Sequence, residues 1–278
     1  MSSRCLSTIL PAVLGVLAAA VAFAIPVAYA DDAARELRVC ADPDNLPYSH
    51  ENESGFENRI ASLIAEEMHA TLRYDWLPQR RGYVRKTMGA GLCDVFIGVP
   101  VDFERVMPTR PYYRSSYVFV YRKGEQPIDS FTKPLVTTRR IGVQLVGNDL
   151  AATPPGHALT RAGATDNVVG YTVYGEGPAA ARMVAAVASR EIDAALVWGP
   201  QAGYFVRRST TPLMLAIANP PEGLPVPFEF AIAMGVKRGN RALRDELNAI
   251  IERRRVDIDA ILAQYGVPRT DVRTEAGR

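Results

Sequence analysis

The chain has 278 residues, 48% of them hydrophobic, and 32 Lys and Arg stand against 30 Asp and Glu. That length suits one large or two modest globular domains, and so even a charge argues against a nucleic-acid binder.

The first thirty residues read as an export signal. Arg4 supplies a positive start, an apolar stretch runs over residues 9–27, and Ala28-Tyr29-Ala30 puts small residues at both positions that matter before Asp31. Pro11, Gly15 and Pro26 interrupt the stretch, which favours a signal over residues 1–30, cleaved after Ala30, rather than a retained anchor. Cys5 lies upstream of the apolar core and leaves with the signal. Without Arg4, 31 basic residues oppose 30 acidic ones, and no second apolar stretch approaches membrane length. The expected mature protein is soluble and periplasmic.

Strand and helix signals then alternate. Residues 37–41 read as a buried strand, followed by the turn-rich Asp42-Pro-Asp-Asn-Leu-Pro-Tyr48. Ser54-Gly-Phe-Glu57 has the form of a capping box, and Phe56, Ile60, Leu63, Ile64 and Met68 recur at helical spacing. A short strand over residues 72–76, a helix over about 82–89 and a strand over 95–99 complete βαβ units of a parallel sheet. The same grammar returns in the middle of the chain, with strands at 141–143 and 168–171. A helix opening at Pro178 carries Ala181, Val184, Ala185 and Ala188 toward a core, and a strand follows at 193–197. The tail, residues 240–265, is one helix or two with a bend, and Arg253-Arg-Arg255 reads as a solvated face.

Two extended apolar segments, residues 117–121 and 228–236, interrupt that grammar. As crossovers they make residues of about 125–225 an inserted lobe and leave a cleft between two lobes.

Cys40 and Cys93 both fall on predicted strands of an exported chain, so they are either a disulfide or two buried thiols, depending on whether those strands are neighbours. Enzyme signatures are sparse. His50, His69 and His157 lack metal-ligand spacing, there is no Gly-x-Ser-x-Gly, and Gly175-Glu-Gly177 lacks the third glycine of a dinucleotide loop. Asp42 and Asp44 read as turn-shaping residues, because Pro43 and a missing third ligand leave a metal site incomplete.

A set of strings spread over about residues 37–268 carries a resemblance. They are Leu37-Arg-Val-Cys-Ala-Asp-Pro-Asp-Asn-Leu-Pro-Tyr48, Pro78-Gln-Arg-Arg-Gly82, Gly91-Leu-Cys-Asp94, Phe103-Glu-Arg-Val106, Thr109-Arg-Pro-Tyr-Tyr113, Gly142-Val-Gln-Leu-Val146 and Val197-Trp-Gly-Pro200. Together they resemble the quinoprotein-dehydrogenase-associated proteins, the J components of bacterial methanol-oxidation systems, within the type II periplasmic binding proteins (solute-binding protein family 3). The resemblance implies an α/β fold of two lobes joined by two hinge strands around a cleft. Lobe 1 is then residues 31–122 with 226–278, and lobe 2 is the inserted residues 123–225.

Amino-acid receptors of this fold grip the ligand carboxylate with an arginine for which Arg105 is the nearest match, at a shorter spacing than usual from Pro111-Tyr112. They place a carboxylate for the ligand ammonium after the strand that begins at Asp193, and the matching position here is Trp198. An indole has one N–H donor and a π face and does not neutralise an ammonium as a carboxylate does, so free amino acids are not the expected cargo. Tyr48, Trp76, Tyr112 and Trp198 fall at predicted strand ends or the loops after them, which face the crevice of an open α/β sheet, although Trp76 and Tyr112 equally suit a core beneath the hinge. The loop Gln79-Arg80-Arg81-Gly82 offers a basic contact for an acidic partner or an anionic group, or else a solvated loop. The resemblance also puts Asp42, Asn45, Pro100 and Gln144 among the cleft candidates.

By this resemblance the chain is a non-enzymatic periplasmic accessory protein of methylotrophy, without a cofactor. Its partner is a PQQ-dependent methanol or alcohol dehydrogenase, whose maturation or activation it assists. The alternative is a solute receptor for an ABC importer, carrying a small, aromatic, non-amino-acid ligand.

Overall fold

The first strand, β1 (Glu36–Ala41), buries Leu37, Val39 and Cys40 and is flanked in parallel by two later strands. The structure is a computed structural model that describes residues 35–271 except 133, 147–150 and 174–176, so the expected export signal lies outside the described residues. After β1 come a two-residue ladder of β2 (Asp44–Asn45) with β3 (Ser49–His50), helix α1 (Phe56–Glu67) and strand β4 (Thr71–Trp76). Helix α2 (Tyr83–Lys86), a 3-10 turn over Met88–Ala90, β5 (Val95–Pro100), β6 (Met107–Pro108) and the long β7 (Tyr113–Arg122) follow. The second run holds β8 (Ile141–Val146), β9 (Ala151–Ala152), α3 (Pro154–Arg161), β10 (Val168–Thr172), α4 (Ala179–Ala188), β11 (Ala194–Trp198), α5 (Gly199–Val206) and β12 (Leu213–Ile217). β13 (Glu229–Val236), α6 (Arg241–Arg253) and α7 (Arg255–Gln264) end the described chain.

One sheet runs β4-β1-β5-β13-β7, with β1 parallel to β4 and β5, and with β13 antiparallel to β5 and to residues 113–116 of β7. The other is built on residues 117–122 of β7, which pair antiparallel with β11 on one side and β12 on the other. β8 and β10 continue it in parallel beyond β11. A single strand therefore serves both sheets, changing partners between Ser116 and Tyr117.

Each sheet has its own core. Phe56, Ile60, Ala61 and Ile64 of α1 pack with Val95, Ile97, Met234, Leu247, Ile250 and Leu262 around the first sheet. Each such aliphatic side chain contributes about 1.5–3 kcal/mol. Phe119, Ile141, Val143, Leu159 and Leu196 fill one face of the second sheet, and Val118, Val120, Met183, Val187 and Val197 the other. Burial of β11 on both faces explains its unbroken apolar run. Arg122, 6% exposed, is satisfied inside the second half: its guanidinium donates to Val187 O, Ile192 O and the Glu125 carboxylate.

Several local expectations shift. The N-cap of α1 is Gly55 rather than Ser54. Asn58, not Glu57, reaches back, its Oδ1 accepting from Gly55 N and His50 N at 3.1 and 3.0 Å. The expected helix over 82–89 is one turn of α2 followed by the 3-10 turn. Helix α4 buries Ala180, Met183, Val184 and Val187 while Ala185 is exposed, because alanines on every side leave the sequence without a contrast that orients the helix. Arg253 and Arg254 are not merely solvated, since both pair with Glu67 and tie the C-terminal helices to α1. Cys40 and Cys93 form a disulfide with a Cα separation of 5.5 Å, and the parallel pairing of β1 with β5 brings them together.

Candidate functional site

The C-terminal ends of β1, β5, β8 and β11 and the strands β7 and β13 open on a cavity of about 400 Å³. Asn45, Tyr48, Gln79 and Pro100 line it from the first half of the chain, and Gln144 and Trp198 from the second. Strand ends of an open α/β sheet are where such a crevice is expected.

Trp198 is both the last residue of β11 and the N-cap of α5. Gly199 after it lies so close to β7 that a Cβ there would fall 2.6 Å from Ser115 Oγ and 2.7 Å from Ser116 O, so only glycine allows the strand to end against the crossing strand. The turn leaves the partly buried indole in the cavity wall, edge to face with Tyr117 at 5.4 Å and with Phe230 at 5.6 Å. Across the cavity, burial raises the Tyr48 phenol well above its ordinary range, against the lowering effect of a hydrogen bond with the Trp198 side chain. Tyr117 rises to about 12, also by burial.

Glu57 is the polar group that reading the sequence missed. It lies in the first turn of α1, lines the same cavity, and packs its carboxyl against Gly98 of β5, where any Cβ would collide with it. No ion pair or side-chain hydrogen bond engages it among the described residues, and burial pushes its pKa from 4.5 to about 8. Burial thus favours the protonated form of the carboxyl that lines the cavity. The sequence does hold a signal: Glu57, Ile60, Ala61 and Ile64 follow the i, i+3, i+4, i+7 spacing of a buried stripe, on which an acid is out of place. Tyr113, Tyr117, Gln201 and Phe230 were also missed as lining residues, hidden within apolar strands or in the first turn of α5.

The other expected residues divide. Asp42 does not line the cavity; its Oδ1 accepts from Asp44 N at 3.0 Å and its Oδ2 from Gln79 N at 2.6 Å, which shapes two loops. Asn45 Nδ2 donates to Gln79 Oε1 at 3.3 Å. Tyr112 is fully buried, its ring 5.0 Å from that of Tyr113, and belongs to the core rather than to the cavity lining. Trp76 stacks on Tyr74 at 4.4 Å on the outermost strand of the first sheet, and it too stays out of the cavity. Arg80, Arg81 and Arg105 line an adjoining cavity of about 480 Å³ that shares Gln79, Gly98, Val99 and Pro100 with the first. Among the described residues no group of three or more His, Cys, Asp or Glu could hold a metal ion, and no helix is long and apolar enough to cross a membrane.

Residues 37–268 match the model of the bacterial extracellular solute-binding proteins, family 3. Protein MoxJ of Paracoccus denitrificans is 34% identical over 273 residues, covering 92% of this chain and 96% of its own. The crystal structure of the periplasmic binding protein XoxJ from Methylobacterium extorquens AM1 superposes with a TM-score of 0.71 at 35% identity, over 85% of this chain and all of the other. MxaJ from Methlophaga aminisulfidivorans MPT shares the fold, with a TM-score of 0.72 at 24% identity over 84% of this chain and 99% of its own.

Proposed function

The chain belongs to the bacterial extracellular solute-binding proteins, family 3, with the two-lobed type II periplasmic binding protein fold, and from that premise we propose a non-enzymatic periplasmic accessory protein of methanol oxidation. In this reading it engages a PQQ-dependent methanol or alcohol dehydrogenase and assists its maturation or activation. The likeness to MoxJ and XoxJ supports the assignment to that branch.

The observation that carries the reading is the Trp198 indole in the cavity wall, braced by Tyr117 and Phe230. The end of β11 thereby offers an aromatic face rather than an anion. The carboxyl of Glu57, which lines the same cavity, is held toward its neutral form by burial. A cavity so built favours an aromatic or apolar group over a free amino acid. With two lobes divided near residues 122 and 226, the work is done by closure. An occupant that binds the closed arrangement better shifts the population toward it by no more than that difference in affinity.

A pull-down and titration calorimetry with the cognate dehydrogenase, apo and holo, test the reading. Binding to either form is expected, and absence of contact with both overturns it. A second reading, a receptor for a small aromatic solute handed to an ABC importer, is favoured by the cavity volume of about 400 Å³, within the usual range for small-ligand sites. A rise in melting temperature with a small aromatic compound, without any dehydrogenase contact, would select it.

A further inference from the structure

The second cavity has a chemistry of its own. Arg80 and Arg81 enter it from the loop after β4, which is held by Asp42 Oδ2 on Gln79 N and closed by Gly82 at φ +86°. Arg105 enters from the turn after β5, where Phe103 N donates to Pro100 O. Elsewhere in this protein arginines meet carboxylates repeatedly, as at Arg35–Glu246, Arg38–Asp94, Arg122–Glu125 and Arg269–Asp271. Arg80, Arg81 and Arg105 have no ion pair and no guanidinium hydrogen bond among the described residues. Asp102 and Glu104, neighbours of Arg105 in sequence, do not line the cavity. Three exposed arginines without a side-chain partner thus line one concave space.

The floor beneath them is apolar: Tyr83, Phe96, Val99 and Phe103 line it, with the rings of Tyr83 and Phe96 at 5.4 Å. A wholly hydrated anion gains nothing from such a floor, whereas a ring or short hydrocarbon body carrying several carboxylates is matched at both ends. Guanidinium forks also pair with carboxylates two bonds at a time, which favours rigid, planar carboxylates over a diffuse negative field.

We propose that this chamber binds a small polycarboxylate with an aromatic or otherwise apolar body, Arg80, Arg81 and Arg105 holding the carboxylates. The assignment deepens the cleft reading above and rests on it only in taking the crevice as a binding surface. Because the chamber and the Trp198 cavity share Gln79, Gly98, Val99 and Pro100, a ligand larger than one ring extends from the arginines toward the indole.

Titration calorimetry of the full mature chain with trimesate, a planar benzene tricarboxylate, is the test, with benzoate as the monocarboxylate control and a glutamate-rich peptide as the macromolecular one. Trimesate is expected to bind saturably and benzoate at least tenfold more weakly. The double variant Arg80→Ala/Arg81→Ala should lose at least a further tenfold, with its unliganded melting temperature unchanged. Arg105→Gln provides the same comparison should the double variant misfold. Absence of saturable trimesate binding, equal affinity for benzoate, or unchanged affinity in the arginine variants overturns the proposal. So does arginine-dependent capture of the peptide in preference to trimesate. A dehydrogenase pull-down with the same variants separates the two readings, since trimesate binding without dehydrogenase contact leaves this assignment standing and removes the accessory one.

Discussion

The Glu57 carboxyl occupies the space that any side chain on Gly98 would need. The acid and the bare strand position are two halves of one fit. Gly98→Ala is expected to push the Glu57 carboxyl toward the cavity it lines and to destabilise the protein by less than about 1 kcal/mol, read from the urea midpoint. Glu57→Ala should relieve the clash, so the double variant is expected to be more stable than the sum of the two single effects.

Glu57 also makes stability depend on pH. Its pKa is raised on folding from 4.5 to about 8, so between those values the unfolded chain is ionised while the folded chain keeps the proton. The folded state then binds more protons, and its stability from this group is complete below about pH 4.5 and falls as pH rises toward about 8. The loss is on the order of a few kcal/mol, and Glu57→Gln is expected to flatten the dependence in that window. Unfolding midpoints at pH 5, 6.5 and 8 for both proteins measure it; equal slopes would refute the placement of the acid.

The Cys40–Cys93 bridge closes a separation of 53 residues between β1 and β5. Removing it with Cys40→Ser/Cys93→Ser, or with a reductant, should cost about 4 kcal/mol on the chain-entropy estimate. Thermal melts with and without reductant should differ for the parent and coincide for the variant.

Trp198→Ala removes the aromatic wall of the first cavity. Contact with the dehydrogenase is expected to weaken at least tenfold, whereas Trp198→Phe keeps a ring beside Tyr117 and Phe230 and should retain most of it. Calorimetry with each variant reads the difference.

Much of the fold was legible because its strands and helices advertise themselves by spacing: β5, β11 and β13 as unbroken apolar runs, α1 by its i, i+3, i+4 stripe. Elements with weak contrast were not. The helix α5 begins on Gly199 and Pro200, residues of low helix propensity, and β12 is a five-residue apolar run that periodicity alone does not tell from a buried helix segment. At the site, Asn45, Tyr48, Gln79, Pro100, Gln144 and Trp198, cleft candidates by their place after a strand or by resemblance, do line the first cavity. Tyr112 and Trp76 show the limit of that rule. A position near a strand end gives the level of a ring in the sheet but not what it faces: Tyr112 and Tyr113 are both buried in one core, and of the two Tyr113 alone also borders the cavity. Glu57 was absorbed into a helix cap that Asn58 in fact supplies.

The change of partners along β7 has a mechanical corollary. Tyr117 is the first residue past the seam, it pairs in register with Trp198, and its ring props the indole. Bearing and lever are thus one piece: if the second sheet swivels on the first, the indole turns with it against Phe230 of β13, and whatever presses on the indole applies its torque beside the seam.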